Sequence, residues 1–256
     1  MRTSPPIFIG GTNGSGTRVY AKLLYAAGVF QGKNPNFAFE PASIRQYTRK
    51  LVPELMQNTQ GPIYDTATLP DEVSARTEKW IEDFARGLKA DKPAEYSHWG
   101  WKHPRNLFLA PFLHQLFKGC FFVQAIRDGR DMSLAGNKGD FLTMNQKFDR
   151  KLEETPSGAA CFWSQMNTQV ADWATVNFGR NYICSRFEDL CDNPEKESRR
   201  ILLALGLEYT SEVADLCANF VKKPQTTGRW HSLEPSERSQ VISASEVGLR
   251  RFGYLD

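Results

Sequence analysis

Residues 7–24 read Ile7-Phe8-Ile9-Gly10-Gly11-Thr12-Asn13-Gly14-Ser15-Gly16-Thr17-Arg18-Val19-Tyr20-Ala21-Lys22-Leu23-Leu24. The apolar run at 7–9 predicts a buried parallel strand extending to residue 11. Gly10, Gly11, Gly14, Ser15 and Gly16 follow, residues of little bulk that bend easily. Val19, Leu23 and Leu24 then recur at helical spacing, which predicts a helix over 16–28. A strand, a glycine turn and a helix N-terminus form an anion cradle. The first helical turn has unpaired N–H groups and a positive dipole end, and glycine lets backbone approach a phosphate or sulfate closely. Gly11 and Gly16 have the spacing of the phosphate loop G-x-x-x-x-G-K-[ST], but Thr17 stands where its lysine belongs, with Arg18 next. The competing reading is a glycine turn that merely joins strand to helix.

A second strand-like run, residues 121–126, ends in Arg127-Asp128-Gly129-Arg130-Asp131. A strand–S-G-T–helix element followed by strand–R-D-G-R-D–helix resembles the PAPS-dependent sulfotransferases. Trp99-Gly100-Trp101-Lys102-His103-Pro104-Arg105 is similar to that family's W-G-x-K-x-P-R segment. Ser185-Arg186-Phe187-Glu188-Asp189-Leu190 with Asn193-Pro194-Glu195 resembles its R-[YF]-E-D-L-x-x-x-P-E segment, and Gly228-Arg229-Trp230 its late G-R-W element. The likeness spans nearly the whole chain, in order. It implies a single P-loop-like α/β domain over 1–256, a central parallel sheet covered by helices on both faces. It also implies sulfuryl transfer from 3′-phosphoadenosine 5′-phosphosulfate (PAPS) to a hydroxyl of a sugar or other small acceptor, leaving adenosine 3′,5′-bisphosphate, with no metal required.

The resemblance assigns roles residue by residue. The loop of Asn13, Gly14, Ser15, Gly16 and Thr17 would hold the 5′-phosphosulfate, and Arg127 would clasp the 3′-phosphate. Arg229 would complete the pocket by charge, and Trp230 by stacking on adenine or else as plain core. Asp131 would orient Arg127 or Arg130, and Glu188 and Asp189 would be structural partners. Two departures stand out. The family's basic residue before S-G-T is replaced by Gly14, and Arg18 is the side chain placed to supply that charge, since its planar fork suits sulfate and phosphate oxygens. Where the family has a serine for the 3′-phosphate this chain has Ala135, so Ser133 or Asn137 would have to substitute.

Sulfuryl transfer, like phosphoryl transfer, depends on positioning and charge stabilisation. The resemblance implies Lys102 as the cation bridging the sulfonate, with an ordinary strand-end lysine as the competing reading. Glu40 and His103 compete as the base for the acceptor hydroxyl. Glu40 lies between Phe39 and Pro41, an apolar setting that favours a basic carboxylate. His103 titrates near neutrality but as a strand neighbour should face away from Lys102. Phe37, Phe39, Tyr96, Trp99 and Trp101 stand near these segments, as acceptor platforms or as core. Two alternatives remain open: a P-loop kinase, disfavoured by the missing lysine, and an inactive nucleotide-binding relative.

Composition agrees with a globular enzyme. Of 256 residues, 41% are hydrophobic and 24% charged, and the net charge of +3 is too small to argue for nucleic acid. Five cysteines without C-x-x-C spacing read as buried thiols of a reducing compartment, and four histidines lack metal-ligand spacing. No apolar run reaches membrane-spanning length, and a strand beginning by residue 7 leaves no room for a leader, so a cytoplasmic enzyme without a membrane anchor is expected. Periodicity predicts further helices over 42–57, 71–90, 104–117, from 129, 158–178, 195–205, 211–220 and 235–246, and strands over 99–102 and 182–185. Residues 138–156 are charged and poorly patterned, by default a surface helix, with a mobile substrate-facing segment as the alternative.

Overall fold

The computed structural model describes residues 4–33, 35–41, 44–136, 139–145 and 152–255. Five strands, β1 (Ile7–Gly10), β2 (Val29–Phe30), β3 (His98–Lys102), β4 (Phe121–Ile126) and β5 (Tyr182–Arg186), form one parallel sheet in the order β2-β3-β1-β4-β5. The helices are α1 (Thr17–Ala26), α2 (Ile44–Gln57), α3 (Asp71–Ala90), α4 (Asn106–Leu116), α5 (Gly129–Ser133), α6 (Gly139–Asn145), α7 (Pro156–Asn177), α8 (Phe187–Asp192), α9 (Pro194–Leu205), α10 (Ser211–Asn219) and α11 (Pro235–Arg251).

Strand alternation sorts the core into two layers. Ile7 and Ile9 of β1 face a cluster built with α1, α9 and α10. Phe8 faces the opposite cluster, built with α3, α4 and α7, and α11 packs along α7 around Trp163 and Leu249. Helices therefore cover both faces, as parallel β-α-β connections require. The expected fold class is borne out.

The strand order puts β1 in the centre, between strands reached by crossovers to opposite sides. Its carboxyl end is thus a switch point where ligands bind in open α/β sheets. Register carries three segments to that edge: Ile9 pairs with Lys102, and Gly10 pairs with Gln124. Counting three residues on from Gly10 and Gln124 brings Arg127 alongside Asn13 and Gly14.

Several boundaries differ from the periodic pattern. β2 is only two residues long, too short for alternation to register. Pro104 and Arg105 form a turn before α4 rather than its first turn. α11 runs on to Arg251, and α8 occupies the E-D-L segment as a separate short helix.

Candidate active site

The glycine turn is built as a cradle. Gly14 (φ 94°) and Gly16 (φ 85°) lie in the left-handed region that side chains disfavour, and Gly16 is the N-cap of α1. A methyl group on Gly16 would run into the Phe187 ring. No side chain caps α1, so its first N–H groups keep the orphan status of any helix start. The turn closes on itself through the Ser15 N–H donated to the Thr12 carbonyl at 3.0 Å. Thr12 Oγ1 and Ser15 Oγ are buried and without a hydrogen-bond partner. Buried hydroxyls normally find one, and leaving one unmade costs about 1–3 kcal/mol. Such a group at a helix N-terminus marks a place prepared for an acceptor-rich ligand. Asn13 stands half-buried beside them.

Arg127 leaves the end of β4 and reaches this turn. It donates from Nη1 to the Gly14 carbonyl (3.3 Å) and from Nη2 to Thr226 Oγ1 (2.8 Å), while its buried Nε has no partner. No carboxylate among the described residues pairs with it. Arg130 differs sharply: it forms an ion pair with Asp128 at 2.7 Å and lies over the Trp230 ring at 4.0 Å. Burial pulls the Arg229 guanidinium below its usual value; the Asp131 carboxylate opposes this and the charge of Arg127 adds to it. Arg229 donates to the Asp131 carbonyl, through Nε at 3.0 Å and through Nη2.

Three expectations for this region are corrected. Asp131 orients no arginine through its carboxylate; it accepts the Gly228 N–H (2.7 Å) and the Trp230 N–H (3.2 Å) and so fastens the late segment to α5. Ser133 is fully buried and donates its hydroxyl to the Arg130 carbonyl at 2.8 Å, because α5 is a short helix whose last turn faces inward. Trp230 stacks on His231 with ring centres 3.8 Å apart while Arg130 sits over the same ring. With these two neighbours against it, the indole is already engaged within the protein, closer to the core reading of Trp230 than to an open stacking platform. Asn137 lies outside the described residues.

At the end of β3, Lys102 and Glu40 meet. Lys102 Nζ donates to Glu40 Oε1 at 2.8 Å and to the Ala38 carbonyl at 2.9 Å, with Lys102 2% and Glu40 4% exposed. The sequence suggested an apolar seat for Glu40; its neighbour is instead an ammonium. His103, past the strand end, faces α2. Its Nδ1 accepts the Arg105 N–H (3.1 Å) and its Nε2 lies 3.0 Å from Thr48 Oγ1, whose hydroxyl donates to the Ile44 carbonyl. That pattern assigns a neutral ring with its proton on Nε2. Both nitrogens are engaged, so His103 does not present a free base to the cradle.

Arg18 has no carboxylate partner among the described residues, and its guanidinium carbon lies 4.8 Å from the centre of the Phe37 ring. Trp99 and Trp101 are core, with Trp101 against Phe8 and Phe84. A cleft of about 990 Å³ runs along α3 against Gly32 and Pro41, but neither the glycine turn nor Arg127 lines it. The five cysteines are free; burial pushes Cys120 up to about 12 and Cys191 up to about 11, so neither is a thiolate at neutral pH. Among the described residues no cluster of His, Cys, Asp and Glu is placed to hold a metal ion, and no helix is long and apolar enough to cross a membrane.

A parallel sheet whose central strand ends in a glycine turn at a helix N-terminus, with Arg127 reaching the turn from the next strand, is a P-loop-like α/β arrangement. A family model described as the sulfotransferase family matches residues 5–211; the chain belongs to that family and is a sulfotransferase. The resemblance read from the motifs is thereby borne out. Three solved structures share the fold. The sulfotransferase domain of the Synechococcus PCC 7002 olefin synthase superposes with a TM-score of 0.55 at 16% identity, over 95% of this chain and 94% of that one. The sulfotransferase domain from the curacin biosynthetic pathway gives 0.54 at 15% identity, over 95% and 98%. A sulfotransferase of Mycobacterium avium, STF9, gives 0.55 at 13% identity, over 100% and 78%. A comparison with curated protein sequences returns no match.

Proposed function

We propose that this sulfotransferase takes its sulfuryl group from PAPS and passes it to a hydroxyl of a small-molecule or glycan acceptor. The observation that carries the reading is the trio of buried, unpartnered polar atoms, Thr12 Oγ1, Ser15 Oγ and Arg127 Nε, gathered at the carboxyl edge of the sheet. They fit a ligand with an anion at each of two points. The turn from Asn13 to Thr17 would hold the 5′-phosphosulfate, and Arg127 with Arg229 the 3′-phosphate. When bound, PAPS supplies a sulfuryl group whose bond to the 5′-phosphate breaks as a bond to the acceptor oxygen forms.

The chain's own residues divide the remaining work. The α1 N–H groups and the Thr17 hydroxyl donate hydrogen bonds to the anion, and Arg18 adds a charge one residue further on, in place of the basic side chain missing at Gly14. Lys102 is the cation for the transferring group, and Glu40 the carboxylate that accepts the acceptor's proton. Because these two are bonded to each other at 2.8 Å, both must change partners when the site fills. His103 holds α2 in place through Thr48 and leaves the base role to Glu40.

Thermal unfolding tests the reading. Adenosine 3′,5′-bisphosphate should raise the midpoint well above the effect of ATP or AMP, and the rise should shrink in Arg18→Ala and Arg127→Ala. An equal response to AMP counts against a two-anion site. Stabilisation by the bisphosphate without transfer to any acceptor of a broad panel selects the binding-only relative.

A further inference from the structure

The backbone just after Arg127 is held from below. The Asp128 N–H donates to Glu188 Oε1 at 3.0 Å. That N–H lies in the same rigid peptide plane as the Arg127 carbonyl, so the bond sets the plane on which the Arg127 side chain stands. Gly129 follows. A Cβ there would stand 2.2 Å from Trp163 Cε3, so only glycine lets the turn lie this close to the indole.

Both supports are shared with the segment that follows α11. Tyr254 donates its hydroxyl to Glu188 Oε2 at 2.6 Å. Its ring meets Trp163 edge-on, with centres 6.4 Å apart, and Phe252 lies against the same indole at 5.9 Å. The Arg186 guanidinium lies 4.2 Å from the centre of the Tyr254 ring and donates to the Gly253 carbonyl at 2.8 Å. The Tyr254 N–H returns to the Leu249 carbonyl at 2.8 Å. Burial, with the Glu188 charge beside it, pushes the Tyr254 phenol well above its ordinary value, so the hydroxyl keeps its proton and remains a donor. One carboxyl thus joins two segments far apart in sequence: Oε1 holds the turn of Arg127, and Oε2 holds Tyr254. Residues 252–255 lie outside the stretch that matches the family model, 5–211.

Resting on the PAPS-dependent reading, in which Arg127 clasps the 3′-phosphate, we propose that Tyr254 is a positioning residue for that phosphate: it fixes Glu188, Glu188 fixes the Asp128 N–H, and the peptide plane fixes the direction in which Arg127 leaves β4. A carboxyl held at both oxygens has one orientation. Released at one of them it can turn, and the Asp128 N–H loses its fixed acceptor. Tyr254 therefore supplies preorganisation to Arg127, which spares the cost of ordering that side chain when the anion binds. The cradle from Asn13 to Thr17 stands on β1 and α1 instead. The influence of Tyr254 falls on one of the two anion points and leaves the other as it is.

Calorimetric titration of adenosine 3′,5′-bisphosphate and of AMP into wild type, Tyr254→Phe, Arg127→Ala and the double variant tests this. Tyr254→Phe removes one oxygen and keeps the ring against Trp163 and Arg186, so the fold should survive. It is expected to weaken the bisphosphate about fivefold, part of the worth of a hydrogen bond to a charged group, with AMP affinity unchanged. In the Arg127→Ala background the same change should cost nothing further, because the side chain being positioned is gone. Wild-type bisphosphate affinity in Tyr254→Phe, an equal loss for both nucleotides, or a full further loss in the Arg127→Ala background overturns the positioning role while the nucleotide site stands. A wild-type protein that binds AMP as tightly as the bisphosphate overturns the PAPS-dependent reading, and this inference with it.

Discussion

The glycine turn and the Lys102–Glu40 pair stand at the ends of adjacent strands, yet they treat charge in opposite ways. The turn after β1 leaves donors unspent: α1 is uncapped, two buried hydroxyls lack partners, and Arg127 donates to neutral oxygens and lies over the Phe187 ring. At the end of β3 an ammonium and a carboxylate are bonded at 2.8 Å, beside a turn with a left-handed Phe39. Preorganised donors cost nothing to rearrange when an anion arrives, which suits tight binding. A buried ion pair is different. Its attraction roughly offsets the loss of hydration, and removing one member strands the other. One region leaves its donors open; the other keeps its charges joined.

The largest effect should come from breaking the balanced side. Lys102→Met removes the ammonium bonded to the buried Glu40 carboxylate and should lower unfolding stability by up to about 3–5 kcal/mol, whereas Lys102→Met/Glu40→Leu should recover part of that loss. Neither protein should transfer sulfuryl groups. Urea titration reads the first expectation; a single variant as stable as wild type would mean that the pair is not the closed unit described above.

The next effect sharpens the receiving side. Arg127→Ala should weaken adenosine 3′,5′-bisphosphate by roughly 10–100-fold, the worth of hydrogen bonds to a charged group. Arg130→Ala should chiefly lower the thermal midpoint, because Asp128 loses its partner. Calorimetric titration of both separates them, and equal losses of affinity would erase the distinction between the two arginines.

The smallest effect concerns what supports the cradle from beneath. Tyr20 of α1 meets Ser185 Oγ at 2.9 Å, and Ser185 donates to Glu197 at 2.7 Å. Burial works against the ionised Glu197, but hydrogen bonds from Arg200 and Ser185 outweigh it and hold the carboxyl below its usual 4.5. A carboxyl depressed in the folded state stabilises above its unfolded value, and that contribution fades as pH falls through the folded value. The gap in unfolding midpoint between wild type and Glu197→Gln should therefore be widest near neutrality and close in acid. A gap that stays constant into acid would show that Glu197 acts by shape alone.

The receiving side was the more legible in sequence. Gly14 and Gly16 announce their positive φ, and the register that brings Arg127 to them follows from two apolar runs being neighbouring parallel strands. What could not be read was pairing across distance. Lys102 and Glu40 were each given a separate chemical role, and nothing local to either residue reveals that they neutralise each other. Their meeting depends on the chain passing through β2, a two-residue strand without a periodic signal, and on the turn at Phe39. Asp131 and Ser133 were assigned by helix position, but α5 is one short turn and a half, and its polar groups are taken by residues 228–230 and by its own carbonyls. The family's motif order was visible; the occupancy of each side chain was not.

The stretch from Thr226 to Trp230 is tied to the site by its hydrogen bonds with Arg127 and Asp131 and by the Arg130 guanidinium over the Trp230 ring, and it lies beyond the residues that match the family model, 5–211. Hung on these few anchors, the segment adjoins the sheet without belonging to it. Such a segment can be altered while strands and glycine turn stay intact, so changes in it should alter how the Arg127 and Asp131 side chains are held without disturbing the sheet.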